Sequence, residues 1–218
     1  NARRKQSGTL IWWFKELLDE IGHDKASLIM HTEPNDPHGQ DLIAIAEELG
    51  VSGKQVLFST DKISPEKLAS LYSAVDCTIN ISDAEGFGLA TLESLACETP
   101  IIVNMTGGLQ EQVTNGKDNF GYGIEPVSKS IIGSQDVPYI YEDRISKESF
   151  IEAVKNFISL SKEQRLEMGT KGRQHVLDEY GFDKYESSWV EVMDDLVKRE
   201  GSWDTRKNYK TWKFEEIK

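Results

Sequence analysis

The stretch richest in chemistry runs Ser82-Asp83-Ala84-Glu85-Gly86-Phe87-Gly88-Leu89-Ala90-Thr91-Leu92-Glu93. It follows an apolar, strand-like run and opens a helix-like one. That places it at the carboxyl edge of an open sheet, where α/β folds bind ligands. Gly86 and Gly88 let the backbone approach an anion closely. The peptide N–H groups of Gly88 and Leu89, at the helix start, point toward such an anion with the positive end of the helix dipole behind them. A diphosphate fits this place. Glu85 and Glu93 flank the turn and would repel a bare phosphate. They suit a ligand with hydroxyls on both sides of its phosphates, as in a nucleotide sugar. Taken singly, each reads as an ordinary surface acid; the preceding strand, the glycines and the later Gly107-Gly108 pair reverse that reading.

The surrounding pattern is that of a scaffold able to hold this turn. Apolar runs at Ser27–His31, Gln55–Ser59, Cys77–Ile81 and Ile101–Asn104 read as strands. They alternate with helical stretches at Asp41–Leu49, at Ser64 onward, and at Gly88–Cys97. Ser64-Pro65-Glu66 opens its helix with a cap and a first-turn proline, and Leu68, Leu71 and Val75 form the expected buried face. Near-continuous apolar strands separated by helices imply a Rossmann-like, doubly wound parallel sheet. Ser7–Ile21 reads as a helix with Leu10, Trp13, Leu17 and Ile21 on one face. A helix opening such a domain without its strand gives the expectation that the sequence starts inside a longer protein. Past residue 115, Gly121–Val127 and Tyr139–Tyr141 read as short strands around a polar loop. Helices are expected at Lys147–Leu160, Lys162–Tyr180 and Tyr185–Lys198. The expected division is a nucleotide-sugar-binding domain over 1–200 and a tail over 201–218, whose Trp203 and Trp212 suggest packing on something. Asp194-Asp195 and Glu215-Glu216 read as exposed charges, and one of Trp12 and Trp13 is expected in the core.

The Glu-x7-Glu arrangement in EGFGLATLE resembles the signature of the group-1 (family 4) retaining glycosyltransferases of the GT-B fold, and TGGLQEQV (Thr106–Val113) resembles their next block. The resemblance implies the C-terminal, donor-binding half of a GT-B enzyme that transfers a sugar from a UDP-, GDP- or ADP-linked donor with retention. Glu85 would meet hydroxyls of the transferred sugar beside the reacting carbon, and Glu93 the ribose. Backbone groups of Gly86, Phe87, Gly88 and Leu89 would hold the diphosphate, and Gly107 and Gly108 would form a tight loop nearby. Lys5 resembles the family lysine that neutralises the leaving diphosphate. The family arginine five residues earlier would fall before Asn1, so Arg4 is the nearest substitute. Loops around His31–Glu33 and Thr60–Ile63 would border the base. The family implies no metal and no cofactor beyond the substrate. It also implies an N-terminal acceptor domain as partner, with peripheral membrane contact through that domain.

Other readings stay open beside it: a non-catalytic nucleotide-sugar-binding module, and a GT-B nucleotide-sugar epimerase. A dehydrogenase fits poorly, because Thr91 stands at the third glycine of the dinucleotide fingerprint and Asn104 at the ribose-binding acid. Arg3-Arg4-Lys5 reads either as a phosphate contact or as a solvated basic end. A net charge of −12 over 218 residues argues against nucleic acid as partner. The four histidines, His23, His31, His38 and His175, lack metal-ligand spacing, and no Asp-x-Asp triplet is present. Cys77 and Cys97 read as small core residues of an intracellular protein, expected in the cytoplasm.

Overall fold

The structure, a computed structural model, describes residues 2–207. One compact unit covers Asn1–His175 and a second begins at Val176. Trp212, Glu215 and Glu216 lie outside the described residues.

The first unit opens with a 3₁₀ turn over Arg3–Lys5 and then α1, Ser7–Ile21. Leu10, Ile11, Phe14, Leu17 and Leu18 recur at helical spacing along α1 and are all buried. The helix ends where Gly22, at φ 107°, returns its N–H to the Leu18 carbonyl. Next come β1 (Leu28–His31), α2 (Leu42–Glu48), β2 (Val56–Ser59), α3 (Pro65–Ala74), β3 (Thr78–Asn80), α4 (Leu89–Ala96), β4 (Ile101–Asn104), α5 (Leu109–Val113) and β5 (Gly121–Ile124). Ser64 caps α3 by accepting from the Lys67 N–H, and Asp41 caps α2 by accepting from the Ala44 N–H. The hairpin β6 (Ser128–Ile132) and β7 (Ile140–Arg144) follows, then α6 (Lys147–Ser159) and α7 (Lys162–Tyr180). In the second unit α8 spans Phe182–Glu200. Trp203 is exposed there, with the Arg206 guanidinium 3.8 Å from its ring centre.

All strand pairs except the hairpin are parallel, as the alternation predicts. They fall into two sheets, β1-β2 and β3-β4-β5, rather than one. One core still joins the pieces: Leu28, Met30, Val56, Ile81, Ile102 and Ile124 pack with the buried faces of α1 and α6. Trp13 joins that core and lies 5.7 Å from the Phe150 ring, whereas Trp12 is exposed.

Three local expectations need revising. Burial alternates along β1, so only β4 is buried at every residue. Leu68, Leu71 and Val75 are half-buried, because α3 packs on α4 rather than under a sheet. The polar loop after residue 127 contains a strand, β6, that pairs with β7 in the register Ser128↔Arg144 to Ile132↔Ile140.

Candidate functional site

β3 and β4 are parallel neighbours, so the loops that leave them emerge side by side. The first loop, residues 81–88, carries the Glu85 turn, and the second, residues 105–108, carries Gly107 and Gly108. Asn104, fully buried at the end of β4, ties them down. Its Nδ2 donates to the Ser82 carbonyl at 2.9 Å and to the Asp143 carbonyl of β7 at 2.8 Å. The Gly108 N–H donates to the Gly86 carbonyl at 3.1 Å. Gly107, at φ +50°, lies so close that an added Cβ would come within 1.7 Å of the Glu85 carbonyl oxygen. The two loops are therefore one packed unit, and glycine at 107 is what lets them meet.

Gln112, fully buried on α5, spans the same gap. Its Nε2 donates to the Phe87 carbonyl at 2.7 Å, and its Oε1 accepts from Thr91 Oγ1 at 2.6 Å. Gly88 precedes α4 in a left-handed conformation (φ 86°, ψ 63°), and no side chain caps that helix. Glycine takes this geometry without the penalty a Cβ would bring. Glu93, on the second turn of α4, is exposed and accepts a hydrogen bond from the Tyr72 hydroxyl at 3.0 Å. Burial, and then Glu93 itself, push the Tyr72 hydroxyl pKa well up, so it stays a donor.

The basic 3₁₀ turn closes on this unit. Arg4 Nη1 donates to the Ala84 carbonyl at 2.8 Å and pairs with Glu85 Oε2 at 3.2 Å, and Lys5 pairs with the same oxygen. Burial pushes the Glu85 carboxyl up, but Lys5 and Arg4 outweigh it and hold the group below the ordinary glutamate value. Lys5, Arg4 and Glu85, separated by some eighty positions in sequence, thus meet at one carboxylate. Arg4 and Lys5 are partly exposed and paired with the carboxylate of the Glu85 turn.

Several residues of this region went unnoticed in the sequence. Gln6, Tyr72, Asp83, Gln112 and Glu142 bond to the expected site residues or to the turns that carry them, and Arg144 pairs with Asp83 and Glu142. Glu142 is buried and paired with Arg3 and Arg144. Only its place in a charged strand end, IYEDR, hinted at a role. On the other sheet, His31 Nδ1 and Ser59 Oγ lie 3.0 Å apart at the ends of β1 and β2, where the expected base-bordering loops begin. The two cysteines are free and half-buried, and burial pushes the Cys77 thiol up to about 12. Among the described residues no three His, Cys, Asp or Glu side chains gather as a metal set, and no helix is long and apolar enough to cross a membrane.

Fold and site together define a Rossmann-like α/β unit of the kind that forms the C-terminal half of GT-B glycosyltransferases. Sucrose-phosphate synthase from Thermosynechococcus elongatus superposes with a TM-score of 0.66 at 22% identity, over 90% of this chain and 43% of that one. The C-terminal domain of a group 1 glycosyl transferase from Francisella tularensis gives 0.59 at 20% identity, over 82% of this chain and 80% of that one. The chain belongs to the glycosyl transferases group 1 family, which it matches over residues 14–175. Glu85, Glu93, Gly107 and Gly108 lie inside that span; Arg4 and Lys5 precede it. The D-inositol 3-phosphate glycosyltransferase of Corynebacterium jeikeium is 35% identical over 118 residues, which is 53% of this chain and 28% of that enzyme. The chain thus spans under a third of that curated relative.

Proposed function

We propose that this chain is the donor-binding half of a retaining glycosyltransferase, taking a sugar from a nucleoside-diphosphate sugar. The observation that carries the reading is the convergence of Lys5 and Arg4 on Glu85, in the loop leading to the uncapped N-terminus of α4. Family membership supports it. Departure of the nucleoside diphosphate leaves negative charge on its phosphates. Cations and a helix N-terminus fixed beforehand stabilise that charge without reorganising. An arriving diphosphate competes with Glu85 for Lys5 and Arg4. Those cations are 36% and 42% exposed but Glu85 is only 10% exposed, so the exchange requires donor hydroxyls to take over the released carboxylate. Once released, Glu85 faces the sugar hydroxyls, Glu93 takes the ribose, and Gly107 and Gly108 border the donor. The chemistry needs no metal in this scheme. The acceptor is met by a second, N-terminal domain, with any membrane contact made there. A cytoplasmic location suits the free thiols.

Calorimetric titration of UDP, GDP and ADP, and of their sugar derivatives, tests the reading. One nucleotide class binds. Glu93→Ala weakens it, and Tyr72→Phe weakens it about two- to tenfold, the worth of one net hydrogen bond of about 0.5–1.5 kcal/mol. The Tyr72→Phe effect should appear with the nucleoside alone and not with inorganic pyrophosphate. No binding, either by this chain or by a version extended to the length of its relatives, overturns the reading. Binding without sugar transfer by the extended version supports the non-catalytic module instead.

A further inference from the structure

The turn that carries Arg4 and Lys5 has no apolar anchor, since none of Arg3–Lys5 is buried. Acidic side chains hold it instead, and they divide the work. Glu85 pairs with Arg4 and Lys5. Glu142 of β7, 2% exposed, accepts from both terminal nitrogens of Arg3, at 3.2 and 2.5 Å. Asp83, 4% exposed, accepts from the Gln6 side-chain amide, and its own N–H donates to the Arg4 carbonyl at 2.8 Å. Three adjacent basic residues are therefore not equivalent. Arg3 is committed to a buried partner, while Arg4 and Lys5 share a carboxylate next to the candidate anion site.

Gln6 sits at φ 56°, ψ 32°, the left-handed region that a residue with a Cβ enters at a cost. It both caps the end of the 3₁₀ turn and immediately precedes α1. Its side chain is fixed at both ends, by Asp83 at the amide nitrogen and by Thr9 Oγ1, which donates to Oε1 at 2.7 Å. Asp83 is steadied in turn by Arg144, 3.4 Å away, which also pairs with Glu142 at 2.9 Å. A strained residue held by its surroundings next to a functional group suggests that the strain serves that group's orientation. Asp83 brackets Lys5, gripping the backbone before it and the side chain after it.

We propose that Gln6, Asp83 and Glu142 are positioning residues that latch the Arg3–Lys5 turn, so that Arg4 and Lys5 present their charge to the donor's diphosphate. The proposal deepens the donor-site reading and rests on it. The latch contributes affinity through the β-phosphate, and it acts on the donor only through Arg4 and Lys5.

The test uses the increment between a nucleoside diphosphate and the matching monophosphate, titrated calorimetrically into this chain and its variants, with melting temperature alongside. Gln6→Gly keeps the left-handed backbone at no steric cost but removes the latch. Its melting temperature should hold or rise. Its diphosphate affinity should fall about five- to tenfold, with monophosphate affinity within about twofold of the parent. Asp83→Ala should behave the same way in binding, and Asp83→Asn, which keeps an acceptor for Gln6, should restore most of the increment. If Asp83→Ala fails to fold, Gln6→Gly carries the result alone. An unchanged increment in Gln6→Gly overturns the proposal. So does an equal loss for both nucleotides, which marks a structural role. If the parent chain binds both nucleotides with no increment for the β-phosphate, the proposal falls while nucleotide binding stands. If the parent binds neither, the donor-site reading falls and takes the latch with it.

Discussion

Lys5→Ala weakens nucleoside-diphosphate binding by about 10- to 150-fold, the equivalent of one charged hydrogen-bonded contact of about 1.5–3 kcal/mol. The variant should remain folded. Lys5 is partly exposed and belongs to the surface turn, so its loss costs stability on the order of 1 kcal/mol or less. Arg4 stays 3.2 Å from Glu85 and keeps that carboxylate partnered. Salt separates this loss from a general defect. A site that works by charge loses affinity as ionic strength rises, and removing its main cation should flatten that dependence. Lys5→Arg should recover part of the loss, since it restores charge but exchanges a compact ammonium for a planar fork. Calorimetry of the four combinations, parent and Lys5→Ala at low and high salt, checks all of this. Equal affinity of parent and variant at low salt would show that the cations meeting at Glu85 serve only to fix the loop.

What could be read in advance depended on how local the cause was. β4 (Ile101–Asn104) is buried at every residue, and burial of that kind writes itself into the three adjacent apolar letters Ile101–Val103. α1 is equally plain, since its buried residues repeat at helical spacing. β6 was not legible. Ser128–Ile132 has no fully buried residue, so no periodicity marks a core face. Its strand character comes from pairing with β7, a fact about another segment. The site divided in the same way. Glu85, Glu93 and the glycine pair announced themselves by spacing within short blocks. Lys5 entered through a resemblance, and the structure then brought it to Glu85. Asp83 stood in the chemistry-rich stretch and Glu142 in a charged strand end, but nothing local gave either of them, or Gln6, its partner. Their bonds join positions 77 and 139 residues apart, and an acid beside an arginine across that interval looks like any surface charge until the chain is folded.

Gly107→Ala is the substitution with the largest expected effect on the site's architecture. Two costs add. Residue 107 has φ +50°, where a Cβ costs about 1–2 kcal/mol. The new methyl would also lie 1.7 Å from the Glu85 carbonyl oxygen, a backbone atom that cannot swing aside, and overpacking of this kind costs about 1–3 kcal/mol. Together they amount to about 2–5 kcal/mol, or roughly 4–20 °C in melting temperature for a chain of this size. Gly116→Ala separates the two, because it has φ +82° but open space around its Cβ, so it should show the backbone cost alone. The clash also has a direction. Whatever relief the chain finds must push the Glu85 loop away from the Gly107-Gly108 loop, stretching the Gly108 N–H to Gly86 carbonyl bond. Nucleotide binding should therefore disappear in Gly107→Ala at temperatures where the variant is still folded, whereas Gly116→Ala binds as the parent does. Thermal melts and titrations of the two variants decide it. If Gly107→Ala melts no lower than Gly116→Ala and binds nucleotide normally, the two loops are not the single rigid unit on which the site depends.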